Sequence, residues 1–135
     1  MTTMHGAMDQ AATSSATVRG WLRLEAAAVF VAGLAAYGWL GGPWLLAIPL
    51  LLLPDLSAVG YLRDPRVGAF TYNLVHNWAF GLGLLAIGLA AGSTPLEILG
   101  TIAIAHTGMD RAVGYGLKLP TSFHDTHLGR MGKDK

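Results

Sequence analysis

Four long apolar runs, separated by short polar breaks, dominate the pattern of hydrophobic and polar positions along the chain. The runs cover residues 21–40, 43–62, 69–91 and 96–116. Each is close to the roughly 20 residues that an α-helix needs to cross a hydrocarbon core about 30 Å thick. Stretches such as LLAIPLLLLP offer no polar face, which every helix of a soluble bundle would need. The pattern therefore predicts an all-α fold with four transmembrane helices.

The breaks between the runs consist of residues that end helices and form turns. They read GGP at 41–43, RDPR at 63–66 and GSTP at 92–95. Connections this short place consecutive helices antiparallel. Residues 19–118 are therefore predicted to form an integral membrane antiparallel bundle of four transmembrane helices. Residues 1–18, which are polar and lack the apolar stretch of a signal peptide, are predicted to be a flexible N-terminal tail, and residues 119–135 a cytoplasmic C-terminal segment.

The basic residues predict how the bundle is oriented in the membrane. They lie before the first run, between the second and third, and at or after the end of the fourth: Arg19, Arg23, Arg63, Arg66, Arg111, Lys118, Arg130, Lys133 and Lys135. The other two loops contain no Lys or Arg. By the positive-inside rule, both termini and the middle loop face the cytoplasm. We therefore expect a multi-pass protein of the cell membrane.

Composition supports the membrane assignment and narrows the choice of partners. The chain is 53% hydrophobic and 13% charged, whereas soluble domains carry about 25% charged residues. A formal net charge of +1 gives no reason to expect nucleic acid as a partner. The chain has no cysteine, so no thiolate ligand or nucleophile is available. The expected partners are the lipid bilayer and a hydrophobic small molecule, and a homo-oligomer is left open.

Ionisable and amide side chains interrupt each apolar run near its cytoplasmic end. They are Glu25, Asp55, Tyr72, Asn73, His76, Asn77, His106 and Asp110. At a rise of 1.5 Å per residue they lie roughly 6 to 14 Å from that end. A charged group inside a membrane helix costs about 3 kcal/mol and normally faces the bundle interior or water. The four runs are therefore expected to direct these groups into one polar cluster on the cytoplasmic side.

Two features of the runs predict how that cluster is built. Pro49 and Pro54 have no N–H, so they leave carbonyl oxygens without a helical donor close to Asp55. On the fourth run, Gly108, Ala112 and Gly116 form a stripe of small residues that lets another helix approach closely. This stripe lies roughly opposite His106 and Asp110 on a helix with 100° per residue. The fourth helix is therefore expected to pack on one side and present its ionisable pair on the other.

Two histidines and two carboxylates in one cluster fit two kinds of chemistry. They could hold a divalent metal with an open position for water, or they could transfer protons as acid and base without a metal. Hydrogen bonding between helices is the structural alternative. We predict His76, His106, Asp110 and Asp55 as catalytic residues and as the ligands of any bound metal. The residues predicted to bind a cofactor behind them are Glu25, Asn73, Asn77 and His127.

Three segments of the chain resemble a known family. PDLSAVGYL, YNLVHNW and above all HTGMDRAVGYGLKLPTSFHDTHLGRMG are similar to the signature segments of small bacterial integral membrane proteins grouped as domain of unknown function 4260. The resemblance extends over roughly residues 22–132. It implies a four-span membrane protein and includes the segment FHDTHLGRMG in the domain. It implies no activity, so the site residues rest on their chemistry alone.

The sequence as a whole favours a membrane protein with a one-sided polar pocket. The expected function is metal-assisted or acid–base chemistry on a hydrophobic or amphiphilic small molecule. The alternatives are a non-enzymatic module that binds or transports a small molecule or ion, and a structural subunit of a membrane complex. The outer half of the predicted bundle holds no polar groups, which argues against a continuous channel within one chain.

Overall fold

The computed structural model describes residues 2–131, which form five α-helices, one 3₁₀ helix and a two-stranded hairpin. Their bounds are α1 Thr2–Trp39, α2 Trp44–Leu52, the 3₁₀ helix Leu53–Leu62, α3 Pro65–Val75, α4 Trp78–Ala91, α5 Thr94–Val113, β1 Asp125–Thr126 and β2 Gly129–Arg130. The all-α class is thus confirmed. Lys133 and Lys135, which contributed to the predicted orientation, lie outside the described residues.

The predicted breaks set the ends of the helices through ordinary capping chemistry. Asp64 caps α3 by accepting a hydrogen bond from the Val67 amide at 2.9 Å, and Pro65 follows at the first helical position. α4 and α5 each end at a glycine in the left-handed conformation, Gly92 with φ 62° and Gly114 with φ 93°. The turn residues in the sequence therefore place the chain reversals correctly.

Residues 2–131 contain fewer candidate membrane spans than the four that the sequence predicts. Within residues 2–131, two stretches are long and apolar enough to cross a membrane, Thr3–Trp39 and Trp44–Leu62. α3 and α4 make a third if they count as one span, although they are bent by 42° at the break between them. α5 does not qualify, since it contains Glu97, Asp110 and Arg111 within its 20 residues. A bundle of four antiparallel transmembrane helices is therefore not confirmed.

α5 is the central helix of the molecule rather than one of four equivalent spans. Nine of its residues are buried, among them Thr101, His106 and Asp110. α1, α4 and α2 all pack on it. A helix enclosed by other helices can carry polar side chains without exposing them to lipid. This position explains how α5 can carry His106, Asp110 and Arg111 near its C-terminal end.

Glycines bring the backbones of α1 and α5 into direct contact. A Cβ atom at Gly108 would lie 2.7 Å from the Phe30 amide nitrogen and 2.8 Å from the Ala26 carbonyl oxygen. At Gly33, on α1, it would lie 2.9 Å from the Cβ of Ala105. Small residues at such crossings let membrane helices pack closely. The part of the predicted stripe at Gly108 thus faces α1.

The regions near both termini contain regular secondary structure. Within the region predicted as a flexible tail, α1 begins at Thr2, and residues 3–18 are exposed. Its alanines, methionines and single glutamine favour helix over coil. At the other end, residues after Pro120 form the hairpin of β1 and β2, with Asp125 paired to Arg130 and Thr126 to Gly129. A bridge between Lys118 and Thr126 ties this hairpin to the end of α5.

Candidate metal centre

Four side chains from three parts of the chain meet at one point. They are Asp55 on the 3₁₀ helix, His76 at the end of α3, and His106 and Asp110 on α5. Each offers one potential ligand atom, and these four atoms all lie within 4.8 Å of one another. Residues separated by up to 55 positions in sequence therefore form a compact group of two imidazoles and two carboxylates.

The distances within the group have the scale of a metal coordination shell. The two Nε2 atoms of His76 and His106 are 2.9 Å apart. Asp55 Oδ1 lies 3.4 and 3.3 Å from these two nitrogens, and Asp110 Oδ2 lies 3.8 and 3.5 Å from them. Ligands about 2.0–2.2 Å from a tetrahedral ion are separated from each other by roughly 3.3–3.6 Å. The five measured distances scatter around that value.

Hydrogen bonds on the outer side of the two imidazoles determine where their protons lie. Nδ1 of His106 is 2.6 Å from the Leu51 carbonyl oxygen, and Nδ1 of His76 is 2.8 Å from the Tyr72 carbonyl oxygen. A carbonyl oxygen can only accept, so each Nδ1 carries a hydrogen and donates it. The remaining nitrogen of each neutral ring, Nε2, then has a lone pair directed inward. This second-sphere arrangement is typical of metal-binding histidines.

Lone pairs and negatively charged oxygens therefore surround the centre of the group, and no positive charge from the described residues lies between them. Two Nε2 lone pairs and two carboxylate oxygens face the same small volume. Two unprotonated nitrogens at 2.9 Å repel each other unless a cation lies between them. Either a metal ion or an added proton would remove this repulsion. The geometry is thus compatible with both kinds of chemistry that the sequence predicts.

The acceptor for His106 comes from the change of helix type before Asp55. α2 ends at Leu52, and the chain continues as a 3₁₀ helix in which donors pair three residues back. The donor for the Leu51 carbonyl would then be residue 54, which is a proline without an N–H. Pro54 therefore leaves the Leu51 oxygen for the imidazole of His106.

The position of His76 depends on a break in what the sequence presents as one span. α3 ends at Val75, and α4 begins at Trp78. The side chain of Asn77 accepts from the Phe80 amide at 3.1 Å and donates to the carbonyls of Asn73 and Leu74 at 2.8 and 2.9 Å. One amide thus caps the end of α3 and the start of α4. The break turns the buried imidazole of His76 toward α5.

A tyrosine and a lysine support the cluster on its buried side. The Tyr72 hydroxyl donates to Asp110 Oδ2 at 2.8 Å, and its ring stacks on that of His76 with centroids 3.6 Å apart. The ammonium of Lys118 lies 4.8 Å from the Tyr72 ring centroid and donates to the Phe123 carbonyl. Burial lowers the pKa of Lys118, while the carboxylates of Asp110 and Asp55 act to raise it. Positive charge near the carboxylates partly offsets their mutual repulsion.

The cluster is open on one side only. His76, His106 and Asp110 are buried, whereas the side chain of Asp55 is 50% exposed. Around Asp55, the 3₁₀ helix and the end of α2 expose Leu52, Leu53 and Leu56. A small molecule could therefore reach the cluster beside Asp55, across an apolar surface. Three buried side chains and one accessible carboxylate would give a bound metal ion a replaceable position.

The four residues predicted to bind a cofactor lie elsewhere. Glu25 is exposed on α1, where its neighbours line a different cavity. Asn73 exchanges hydrogen bonds with the backbone of Lys118 at 2.8 and 2.7 Å, and Asn77 caps two helices. His127 accepts from the Leu117 amide at 2.8 Å. These side chains bind backbone groups or lie at another surface, so they do not extend the cluster.

Two supporting residues are not among the predicted site residues. Tyr72, a polar residue of the third run, is four residues before His76 and shares its helical face, which is the signal that could have placed it in the site. Arg111 donates to the His76 carbonyl at 3.1 Å and to the Tyr115 carbonyl at 3.1 Å. It thereby satisfies an acceptor that the helix break leaves unpaired. Nothing in the sequence around Arg111 indicates a partner 35 residues away.

Comparison with known proteins identifies the family. The family described as domain of unknown function (DUF4260) matches residues 19–131, and the chain therefore belongs to it. The resemblance seen in the sequence is thus confirmed. The match includes all four residues of the cluster and the C-terminal hairpin. No curated protein and no solved structure shows significant similarity to the chain.

Proposed function

We propose that this chain is a multi-pass membrane metalloprotein whose Asp55, His76, His106 and Asp110 bind one divalent transition-metal ion. We further propose that it is an enzyme that uses this ion on a hydrophobic or amphiphilic small molecule. The observation that carries the proposal is the pair of inward-directed Nε2 atoms at 2.9 Å, with both Nδ1 protons held by carbonyl oxygens. Two carboxylates complete a ligand set of the required charge.

The donor set narrows the choice of metal. Imidazole nitrogen with carboxylate oxygen suits zinc, iron and manganese, and the absence of sulfur disfavours Cu(I). A centre with two histidines and one buried carboxylate, plus open or exchangeable positions, is used for hydrolysis and for oxygen chemistry. Such an ion lowers the pKa of a bound water or polarises a substrate oxygen. Asp55, at the accessible side, is the group placed to exchange a proton with a substrate or to yield its position.

The surroundings of the open side support an apolar substrate. Leu52 and Leu56, next to Asp55, are 52% and 69% exposed. A cavity of about 200 Å³, whose lining includes Leu53 and Pro54 beside Asp55 in the sequence, is lined almost entirely by apolar side chains, among them Val75 and Phe80. A polar substrate would gain nothing from these surfaces, whereas an amphiphile could place its head at the cluster and its chain along them. The candidate spans put the same surface within reach of the bilayer.

Elemental analysis of the purified protein tests the proposal directly. Protein extracted in mild detergent without chelator is expected to carry zinc, iron or manganese near one equivalent. Replacing both cluster histidines, H76A with H106A, should reduce that content to background, because both nitrogen ligands are lost. The matched control is H5A with H124A, which removes two exposed histidines outside the cluster. Its metal content should equal that of the unmodified protein.

The metal contents of these proteins distinguish a metal site from metal-free acid–base chemistry. Metal retained by the H76A/H106A variant, or absent from unmodified protein even after incubation with each of the three ions, would contradict the metal site. In the second case the two imidazoles would share a proton instead. Nitrogen chemical shifts of the histidines would then show one Nε2 protonated. Activity assays on lipid-like substrates follow only when the occupied state is known.

The Tyr72 hydroxyl provides a finer test of the same site. Y72F keeps the ring that stacks on His76 but removes the donor to Asp110 Oδ2. Loss of such an outer partner is expected to weaken metal binding by about 10- to 100-fold. The affinity can be measured by competition with a coloured chelator. Y61F is the control, since the buried Tyr61 hydroxyl has no hydrogen-bond partner among the described residues. Equal affinities for Y72F and Y61F would exclude this role for Tyr72.

A further inference from the structure

A second, larger cavity lies on the other side of α5. α1 and α4 each pack on α5, and between them a groove of about 920 Å³ extends to the C-terminal hairpin. Ile104 and Arg111, one helical face of α5, form part of its floor. His106 and Asp110 lie on a different face and are absent from its lining. The groove is therefore separate from the candidate metal centre.

The groove combines positive charge with apolar surface. Its lining contains four arginines, Arg19, Arg23, Arg111 and Arg130, against one acidic residue, Glu25, among the described residues that line it. Most of the remaining lining is apolar and includes Leu22, Val29 and Leu82. We name this cavity the arginine groove after the four arginines. Arg130 is already paired with Asp125 at 3.1 Å, but the other three arginines favour an anionic partner, and the apolar part of the lining favours an apolar one.

Two of the arginines are arranged to bind an anion together. Arg19 and Arg23 are four residues apart on α1 and so share a face. Arg23 donates through Nε to the Ala112 carbonyl at 2.7 Å, and its two terminal nitrogens make no hydrogen bond to the described residues. A guanidinium fixed in this way presents its remaining donors in the fork that matches a phosphate. Arg19 is tied only through NH1, to the hydroxyl of Ser15 at 3.0 Å.

We propose that the arginine groove binds one anionic phospholipid, with its phosphate at Arg19 and Arg23 and an acyl chain along the walls of α1 and α4. Both requirements of the groove, negative charge and apolar length, are met by this class of molecule. The groove borders α1, which is a candidate span, and α4, which forms a candidate span only together with α3, so a bilayer lipid can enter it from the side. Basic residues at a membrane surface attract anionic lipids, but a cavity of this size adds a defined place for one molecule.

Lipid binding by the full-length protein in detergent tests this assignment. Native mass spectrometry and thermal unfolding would compare phosphatidylglycerol with phosphatidylcholine of identical acyl chains, and with inorganic phosphate. We expect one phosphatidylglycerol adduct and a higher unfolding temperature with that lipid alone. The variant R19Q/R23Q should bind it roughly 30-fold more weakly, since each arginine near an anionic surface contributes about a fivefold factor. The control R63Q/R66Q removes two exposed arginines outside the groove.

Each result either supports or contradicts a lipid site in the arginine groove. If R63Q/R66Q weakens binding as much as R19Q/R23Q does, the charges act as a general surface potential, and the groove is not a lipid site. Equal effects of the two lipids would also overturn the proposal, as would full stabilisation by inorganic phosphate, which would assign the site to a free anion. A selective adduct lost only in R19Q/R23Q supports it. Metal content, measured in parallel, keeps this result independent of the proposed metal centre.

Discussion

Removing His106 is expected to abolish metal binding, whereas removing Asp55 is expected only to weaken it. His106 is buried, fixed by the Leu51 carbonyl, and its Nε2 lies within 3.5 Å of a ligand atom of each of the other three residues. H106A therefore removes a preorganised ligand that water cannot replace in the same place. The loss should exceed the roughly 10- to 100-fold effect of an outer-sphere change.

Asp55 differs because half of its side chain is exposed. In D55N an amide oxygen or a water molecule can take the vacated position, so metal content should stay near one equivalent and the affinity should fall less than in H106A. D110N, at a buried carboxylate that accepts from Tyr72, should resemble H106A. The expected order of affinity is therefore unmodified protein, D55N, then D110N and H106A.

This series is measured by metal content after dialysis and by chelator competition, with helicity checked by circular dichroism. Because alanine leaves a cavity and an unpaired Leu51 carbonyl, H106Q is the companion variant. Its amide can donate to that carbonyl and fill most of the space. Equal losses in D55N and H106A would show a closed site with four equivalent ligands, and would contradict an accessible position for substrate. Normal metal binding by H106Q and H106A would contradict the site altogether.

The sequence predicts the ligand cluster better than it predicts the helices that carry it. His106 and Asp110 share a face of one helix by spacing alone, and the cost of burying charge in a membrane helix directs them inward. Because Pro54 has no N–H, a carbonyl oxygen before it is expected to lack a helical donor. The Leu51 oxygen, which is bonded to His106, agrees with that expectation. These inferences depend on local geometry and on desolvation, which the residue types determine directly.

The sequence does not predict the helix break at His76 and Asn77. No proline or glycine marks it, and Asn77 lies inside an otherwise apolar run. An asparagine is common both as a helix cap and as a polar contact between helices. Only the positions of Phe80, Asn73 and Leu74 around it show that it acts as a cap. The bent pair α3 and α4 was therefore predicted as a straight span.

The sequence of α5 does not reveal that this helix is buried among other helices, because that burial depends on the tertiary packing. Its length is that of a span, and the sequence predicts it as one. Its Glu97, Asp110 and Arg111 are tolerated because other helices surround it, and those packing partners are far away in sequence. The roles of Asn73 and His127 were missed for the same reason. Both bind backbone in the segment after α5, at Lys118 and Leu117, whose path only the structure shows.

The contact between α1 and α5 at Gly108 should be highly sensitive to an added side chain. A methyl group there would meet the Phe30 amide nitrogen at 2.7 Å and the Ala26 carbonyl oxygen at 2.8 Å, both of them backbone atoms. Backbone cannot rotate away as a side chain can, so α1 itself must move. Overpacking of a core normally costs about 1–3 kcal/mol. We expect G108A to reach the upper part of that range and G108L to prevent stable folding.

The matched control for this prediction is Gly83 on α4, where an added Cβ would meet nothing within 4 Å. G83A should leave stability unchanged or raise it by about 0.5–1 kcal/mol, because alanine favours a helix interior over glycine. Thermal unfolding in detergent, followed by circular dichroism, measures both variants against the unmodified protein. If G108A unfolded at the same temperature as G83A, α1 and α5 would not be in backbone contact at this point. Since α5 carries two of the four cluster residues, the central position of that helix would then also need revision.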